Sequence, residues 1–251
     1  MTAVITSVSN PLIKSTRMLH RSRGRRMAGL TLVEGPKVFS RMVVMGVVPE
    51  TVLMIEDDDA TSALCRTRGW DPVVVSREVL AAASDTVHPR SPVVTIPIPG
   101  SSAMRERDTL LLMDISDPGN VGTIIRSAAA FCWDVSTSGT TADPWSPKVI
   151  RAAAGSHFGA HLVTSSDPMD EARSLGLDIV ATVVAGGDQP TRTRRPIALM
   201  IGSEAHGLSQ ENLGEADQRV SLSMDEGVES LNAGVAASIF MYILASKNKA
   251  P

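Results

Sequence analysis

Cysteine occurs only twice in the 251 residues, at Cys65 and Cys132. Two distant thiols have neither the paired spacing of a zinc site nor the numbers for a disulfide framework, so free thiols in a reducing, cytoplasmic compartment are expected, and no metal. Aromatic residues make up 3% of the chain, too few to build a sheet that holds RNA by stacking bases on it. No stretch approaches 18 uninterrupted apolar residues, and the first residues lack the continuous apolar core of a secretory leader, so no membrane association is expected. No G-x-G-x-x-G follows the apolar run at 109–113, which argues against the common dinucleotide-binding turn. At 43% hydrophobic and 20% charged residues, the composition is that of an ordinary globular chain, long enough for one large or two ordinary domains.

Acid is missing from one place in particular. The net charge is −3, yet the first 26 residues carry Lys14, Arg17, Arg21, Arg23, Arg25 and Arg26 with no Asp or Glu. Residues 1–100 hold twelve Lys and Arg against nine acids, and residues 101–251 hold twelve against eighteen. Cationic charge concentrated in a short segment of an otherwise acidic chain is the electrostatic footprint of a phosphate-binding surface, because neutralising the backbone supplies much of nucleic-acid affinity. The six basic residues are the candidate RNA contacts, as a basic arm. Lys148 and Arg151, one turn apart, are further candidates, and Arg192, Arg194 and Arg195 form a second small cluster.

Pro97-Ile98-Pro99-Gly100-Ser101-Ser102 reads as a linker. It divides the chain into a small α/β domain at 1–98, a connection at 99–107, and a second domain at 108–251. In the first, short β-like runs at 30–33, 51–55, 73–75 and 93–96 alternate with helical stretches near 35–46, 59–68 and 77–84. In the second, strands are expected near 109–113, 133–137, 178–184, 197–201 and 219–222, and helices near 121–132, 147–153, 168–175 and 230–246, followed by Lys247 and Lys249.

Three strand-end loops of the second domain share one grammar. Thr109–Met113 is apolar throughout, as in a strand buried on both faces, and runs into Asp117-Pro118-Gly119-Asn120, with Asn120 placed to cap a helix that Val121 begins. Ile197–Ile201 runs into Gly202-Ser203-Glu204-Ala205-His206-Gly207. Residues 220–224 lead into Glu229-Ser230-Leu231-Asn232 and then a helix rich in small residues. Open α/β sheets bind ligands beyond the carboxyl ends of their strands, so three such loops suggest one shared site.

The ordered segments PGNVGTIIR, IGSEAHGLS and LSMDEGVESLNAGVAAS resemble the three motifs of the SpoU (TrmH-like) branch of the SPOUT methyltransferases, over about residues 109–247. In the first domain SNPLIK, the GRR turn and LVEGPKVF resemble the start of the small substrate-binding domain carried by many ribosomal-RNA members. The resemblance implies an α/β SPOUT domain with a deep trefoil knot, an exception to the rule that chains are un-knotted, preceded by a small α/β RNA-binding domain. It implies transfer of a methyl group from S-adenosylmethionine to a ribose 2′-hydroxyl, most simply in 23S-type ribosomal RNA. A transfer-RNA substrate and a catalytically inactive RNA-binding scaffold are the alternatives.

Carried onto matching positions, the resemblance makes Asn120, Arg126, Glu204, Ser230 and Asn232 the catalytic polar set. Gly202, Leu222 and Leu231 match its cofactor-binding positions, and Thr182, Ser203 and Met224 join them as neighbours in the cofactor-binding set. The family often has Ile-Pro-Met where this chain has Leu222-Ser223-Met224, and Asn-Val-Ser where it has Asn232-Ala233-Gly234; the second difference leaves Ser230 and Asn232 in place. A guanidinium keeps its proton in water and then has no lone pair to offer, so Arg126 suits a phosphate clamp and stabiliser of the forming alkoxide better than a base. Glu204 is placed to orient Arg126. The helix opened by ESLN, with Ile239, Phe240, Ile243 and Leu244 along it, implies a homodimer by the same resemblance.

Overall fold

The computed structural model describes residues 4–100, 102–225 and 227–245. Lys247, Lys249 and the expected helix end at 246 lie outside them. The chain forms two compact units. Both are discontinuous: the first joins Met1–Gly100 to Trp145–Phe158, and the second joins Ser101–Pro144 to Gly159–Pro251.

The basic N-terminal segment is not an arm. It folds into two helices, α1 (Pro11–Met18) and α2 (Ser22–Ala28), with Asn10 capping α1 by accepting from the Leu12 amide and Ile13, Thr16 and Leu19 buried beneath. There follow β1 (Leu30–Glu34), α3 (Pro36–Val44), β2 (Thr51–Met54), α4 (Asp59–Arg68), β3 (Val73–Val74), α5 (Arg77–Ala83) and β4 (Val93–Pro97). The sheet order is β1-β4-β2-β3, with β4 antiparallel to both its neighbours and β3 parallel to β2.

Side chains alternate across this sheet with the period of two that a strand imposes. Leu32, Leu53 and Val93 face a core with Ile13, Leu19, Val79 and Leu80. Their chain neighbours Val33, Val52 and Val94 face another with Phe39, Met42, Cys65 and Ile150. Burial pushes the Cys65 thiol up, as does the Asp58 charge, which makes it an inert core filler.

Ile150 belongs to α7 (Pro147–Ala152), the helix of the returning segment. Trp145 and Phe158 pack on the same core, and the Thr31 hydroxyl donates to the Trp145 carbonyl at 2.5 Å. Arg151 donates to the carboxylate of Glu34 at 3.1 Å, and that carboxylate, 4% exposed, also accepts from the Ser84 hydroxyl and the Asp85 amide. A buried carboxylate is tolerated only when paired and hydrogen-bonded, and here it is.

The second unit is built on β5 (Thr109–Met113), α6 (Pro118–Phe131), β6 (Asp134–Ser138), β7 (Leu162–Thr164), α8 (Pro168–Ser174), β8 (Asp178–Thr182), β9 (Ile197–Ile201), α9 (Gln210–Glu215), β10 (Gln218–Val220) and α10 (Ala233–Leu244). All six strands are parallel, in the order β10-β8-β9-β5-β6-β7. Leu110, Leu111 and Leu112 are all fully buried, as a strand covered on both faces requires. After β5 the chain builds outward to one side through β6 and β7, and later returns to the other side as β8 and β9. The strand order therefore reverses at β5 and β9, where the crevice of an open sheet forms. The short β7 and α9 were not expected.

Two helix starts differ from the sequence reading. α6 begins at Pro118, and Asp117 rather than Asn120 is its cap, accepting from the Asn120 amide at 2.9 Å. α10 begins at Ala233 rather than 230, with Asn232 as its cap. α6 and α10 lie side by side and run the same way. A Cβ on Gly234 would meet the Thr123 side chain at 3.1 Å, the hydroxyls of Ser127 and Ser238 lie 2.7 Å apart, and the rings of Phe131 and Tyr242 are 6.1 Å apart. Each step is four residues on both helices, one turn of a shared face.

Candidate active site

Since Asp117 takes over the cap, Asn120 is released from local duty. It sits in the first turn of α6, 8% exposed, with its side chain free to bond elsewhere. Its amide nitrogen donates to Glu204 Oε1 at 2.7 Å and its oxygen accepts from Asn232 Nδ2 at 2.8 Å. The orientation of this chain is fixed at one end. Asn232 Oδ1 accepts from the amides of Gly234 and Val235 at 3.0 and 3.2 Å, so only its nitrogen is left to face Asn120. Asn120 must then present oxygen to Asn232 and nitrogen to Glu204. One residue from each of the three loops is thereby joined in a single directed network.

Beside the network lies a cavity of about 650 Å³. Its wall includes all six residues assigned to the cofactor, Thr182, Gly202, Ser203, Leu222, Met224 and Leu231, together with Glu204, Ser230 and Asn232. Gly202 is demanded by the loop itself: a Cβ there would lie 2.3 Å from the Gly207 carbonyl carbon and 2.4 Å from the Leu208 nitrogen, both backbone. Ser203 and Gly207 exchange backbone hydrogen bonds at 3.1 and 2.9 Å, closing the turn that carries Glu204.

The donor set suits a ligand with an apolar plane and polar edges. Ile201, Leu222 and Phe240 supply apolar surface, and among the described residues the backbone amides and carbonyls of Leu222, Ser223 and Met224 have no backbone partner. Sites for small ligands combine such walls with a few placed polar groups.

Arg126 is exposed on α6 and makes no hydrogen bond or ion pair among the described residues. The expected pairing with Glu204 is absent there; the Glu204 carboxylate accepts from Asn120. Arg126 is therefore an unspent cation on the helix that carries Asn120.

The basic candidates separate by environment. Lys14, Arg17, Arg21 and Arg23 are exposed, as are Arg26, which donates to the Ser22 hydroxyl at 3.0 Å, and Lys148. Arg25 is 3% exposed and donates to the carbonyls of Leu19 and His20, so its charge serves the α1–α2 turn rather than a solvent-facing phosphate site. Arg151 is held by Glu34, with Asp85 at 3.8 Å. In the second cluster Arg192 is paired with Asp108, Arg195 lies 3.7 Å from Asp178, and Arg194 is exposed.

A family model described as the SpoU rRNA Methylase family matches residues 108–242. The chain belongs to the SpoU family. A second model, the MRM3-like substrate binding domain, matches residues 10–93 of this SpoU protein. It is 32% identical over 257 residues to an uncharacterized tRNA/rRNA methyltransferase of Synechocystis, covering 96% of this chain and 92% of that one. It is 29% identical to the 23S rRNA (guanosine(2553)-2′-O)-methyltransferase RlmP of Bacillus subtilis, covering 96% and 98%. Among solved structures, an AdoMet-bound rRNA methyltransferase from Sinorhizobium meliloti superposes with a TM-score of 0.85 at 26% identity, covering 96% of both chains. The α/β class read from the motifs, with a small substrate-binding domain ahead of a parallel-sheet methyltransferase domain, is thus that of this SpoU chain.

Sequence reasoning missed Asp117 as the cap that frees Asn120, and missed His206, Glu229, Ala236 and Phe240 in the cavity wall. For Asp117 the signal was present: Asp-Pro-Gly places a capping acid directly before a proline at the first helical position.

Proposed function

We propose that the cavity beside the Glu204–Asn120–Asn232 network holds S-adenosylmethionine and that the exposed polar residues around it present an RNA ribose to its methyl group. The protein is an S-adenosylmethionine-dependent RNA ribose 2′-O-methyltransferase, and ribosomal RNA is its substrate. The observation that carries this reading is the convergence of all three family motifs on one cavity through a single directed hydrogen-bond network.

Bound in that cavity, S-adenosylmethionine supplies a methyl group already activated on a sulfonium, so the protein has mainly to position the nucleophile. Backbone groups of 222–224 hold the adenine edge, with Ile201, Leu222 and Phe240 as its walls. Glu204, fixed by Asn120, and Ser230 with the Asn232 cap orient the ribose. Arg126 holds the adjoining phosphate and stabilises negative charge as it forms on the 2′-oxygen. We assign capture of the RNA backbone to Lys14, Arg17, Arg21, Arg23 and Arg26, and to Lys148.

The domain limits at residues 98 and 108, a trefoil knot in the second unit, and a homodimer belong to the same proposal. The homodimer is supported by the outer face of α10, where Val235, Ile239, Tyr242 and Ile243 are 46%, 37%, 70% and 43% exposed. Contiguous exposed apolar surface of this kind marks an interaction face.

The test is single-turnover methylation of ribosomal RNA with titration calorimetry of the cofactor. Arg126→Ala is expected to lower the rate at saturating RNA about 10²–10³-fold, the scale for losing one electrostatic stabiliser, with S-adenosylmethionine affinity unchanged. A near-normal rate overturns the role of Arg126, and no binding of S-adenosylmethionine by the intact protein overturns the cofactor site.

A further inference from the structure

A second cavity, of about 600 Å³, lies in the first unit on the α1–α2 hairpin, and its make-up differs from a plain phosphate-binding surface. Lys14, Arg17, Arg21 and Arg23 line it together with Met18 and Met27. None of its lining residues is acidic, and none of the four cations is paired through its side chain among the described residues. The two methionines are 54% and 72% exposed, apolar area left in water in the midst of positive charge.

The hairpin that shapes this cavity is stiff. A Cβ on Gly24 would lie 2.0 Å from the Met18 carbonyl oxygen, so the two helices touch there through backbone. The buried Arg25 ties the turn by donating to the carbonyls of Leu19 and His20 at 3.0 and 3.2 Å. His20 Nε2 is 2.9 Å from the Ala83 carbonyl at the end of α5, which anchors the turn to the core. The concavity is therefore a feature of the folded unit.

We infer that this cavity takes one unstacked nucleotide of an RNA strand, its base against Met18 and Met27 and its flanking phosphates against Lys14, Arg17, Arg21 and Arg23. The inference deepens the reading of α1 and α2 as an RNA-capturing surface and rests on it. Phosphate capture alone has no use for the methionines, and covering them removes apolar surface from water. Methionine is soft and polarisable, and it makes favourable contacts with aromatic rings, as a base face offers. A paired duplex keeps its base faces stacked inside, so only a bulged, looped or extruded base can enter a cavity and meet its floor. Four cations match the several phosphates of a strand better than the single phosphate of a free nucleotide, and a cavity of this size lies within the range for small-ligand sites.

The experiment uses the full chain and two RNA hairpins, identical except that one carries a single bulged 2-aminopurine. The bulged hairpin is expected to bind about 5–10-fold tighter, roughly what one buried base contributes, with a change in 2-aminopurine fluorescence on binding. Met18→Ser with Met27→Ser, both at exposed positions, is expected to erase that advantage while leaving the affinity for the paired hairpin unchanged. Arg17→Gln with Arg23→Gln is expected to weaken both RNAs and flatten the salt dependence of each. Equal binding of the two hairpins, or an advantage that survives the serine pair, overturns the inference while the RNA-capturing role of the hairpin stands. Weak binding of both RNAs that the arginine pair does not alter overturns that role and the inference with it. Competition by millimolar ATP makes the occupant a free nucleotide, and equal competition by polyglutamate makes it an acidic protein surface; either result overturns the inference.

Discussion

Replacing Asn120 by Asp changes one atom in the middle of the Glu204–Asn120–Asn232 network. Packing is preserved at this 8%-exposed position, and the new carboxylate still accepts from Asn232 Nδ2. Its other oxygen then faces Glu204 Oε1 across what was a 2.7 Å hydrogen bond. Two unit charges about 4 Å apart repel by ~4 kcal/mol at an effective dielectric of 20. Glu204 is exposed and can turn toward water, which reduces the expected cost to about 1–2 kcal/mol near pH 7.5. The introduced carboxyl keeps its proton longer in the folded protein than in the unfolded chain, so its folded pKa is raised. The folded state then binds more protons over that window, and stability falls as pH rises from the ordinary carboxylate range through the raised value. Thermal unfolding at pH 4.5 and 7.5 checks this against wild type and Asn120→Ala. Asn120→Ala loses two hydrogen bonds without adding charge, about 1–2 kcal/mol with no comparable pH dependence. If Asn120→Asp matches wild type at pH 7.5, the network does not have the direction assigned to it.

Gly202→Ala should collapse the 202–207 turn, since the clashing atoms are backbone, and S-adenosylmethionine affinity should fall at least ~10-fold by calorimetry; unchanged affinity argues that this turn does not shape the cofactor site. Burial raises the Asp58 carboxyl, but hydrogen bonds from the Ser91 and Thr61 side chains and the Thr61 amide outweigh it and hold the pKa below the ordinary value of 3.8. With the folded pKa depressed, the stabilisation is present above the unfolded value and lost as pH falls through the folded one. Asp58→Asn should therefore flatten the acid limb of the unfolding profile below about pH 4. Arg151→Met strands the Glu34 carboxylate and should cost about 1–3 kcal/mol in urea denaturation, discounted because Arg151 is 30% exposed, with part recovered by adding Glu34→Gln.

Much of the second unit was legible because its signals are local. TLLLM and IALMI are unbroken apolar runs of strand length, and both are strands with the bounds read from them. Each polar turn at their carboxyl ends has a structural use as a helix cap or loop, and it was the recurrence of one loop grammar at several strand ends that pointed to one place. What failed was anything decided by distant partners. β7 is three residues long and stands only because β6 pairs with it. Glu204 was expected to face Arg126, but spacing along a chain does not say which neighbour a carboxylate meets, and Asn120 is the one that the folding of α6 delivers. In the N-terminal segment, the density of Arg masked two helices, although the inward positions of the first and its C-cap, Ile13, Thr16 and Leu19, recur at spacings of three. Arg25 looked like its neighbours in sequence and differs from them only in pointing inward.

The return of Trp145–Phe158 to the first unit also sets an order of events during synthesis. A chain made from its N-terminus can form the β1-β4-β2-β3 sheet once residue 97 has emerged, but the core around Phe39 and Met42 stays open on the side that Ile150, Trp145 and Phe158 cover. Glu34 waits equally long for Arg151. By the time these residues arrive, β5, α6 and β6 are already outside the ribosome, though β9 and β7, which flank β5 and β6 in the finished sheet, are not yet made. Domains generally fold as units in order of synthesis. Here the first unit is completed by a segment translated after the second has begun, so a chain released at residue 100 leaves that core uncovered however well its own strands have paired.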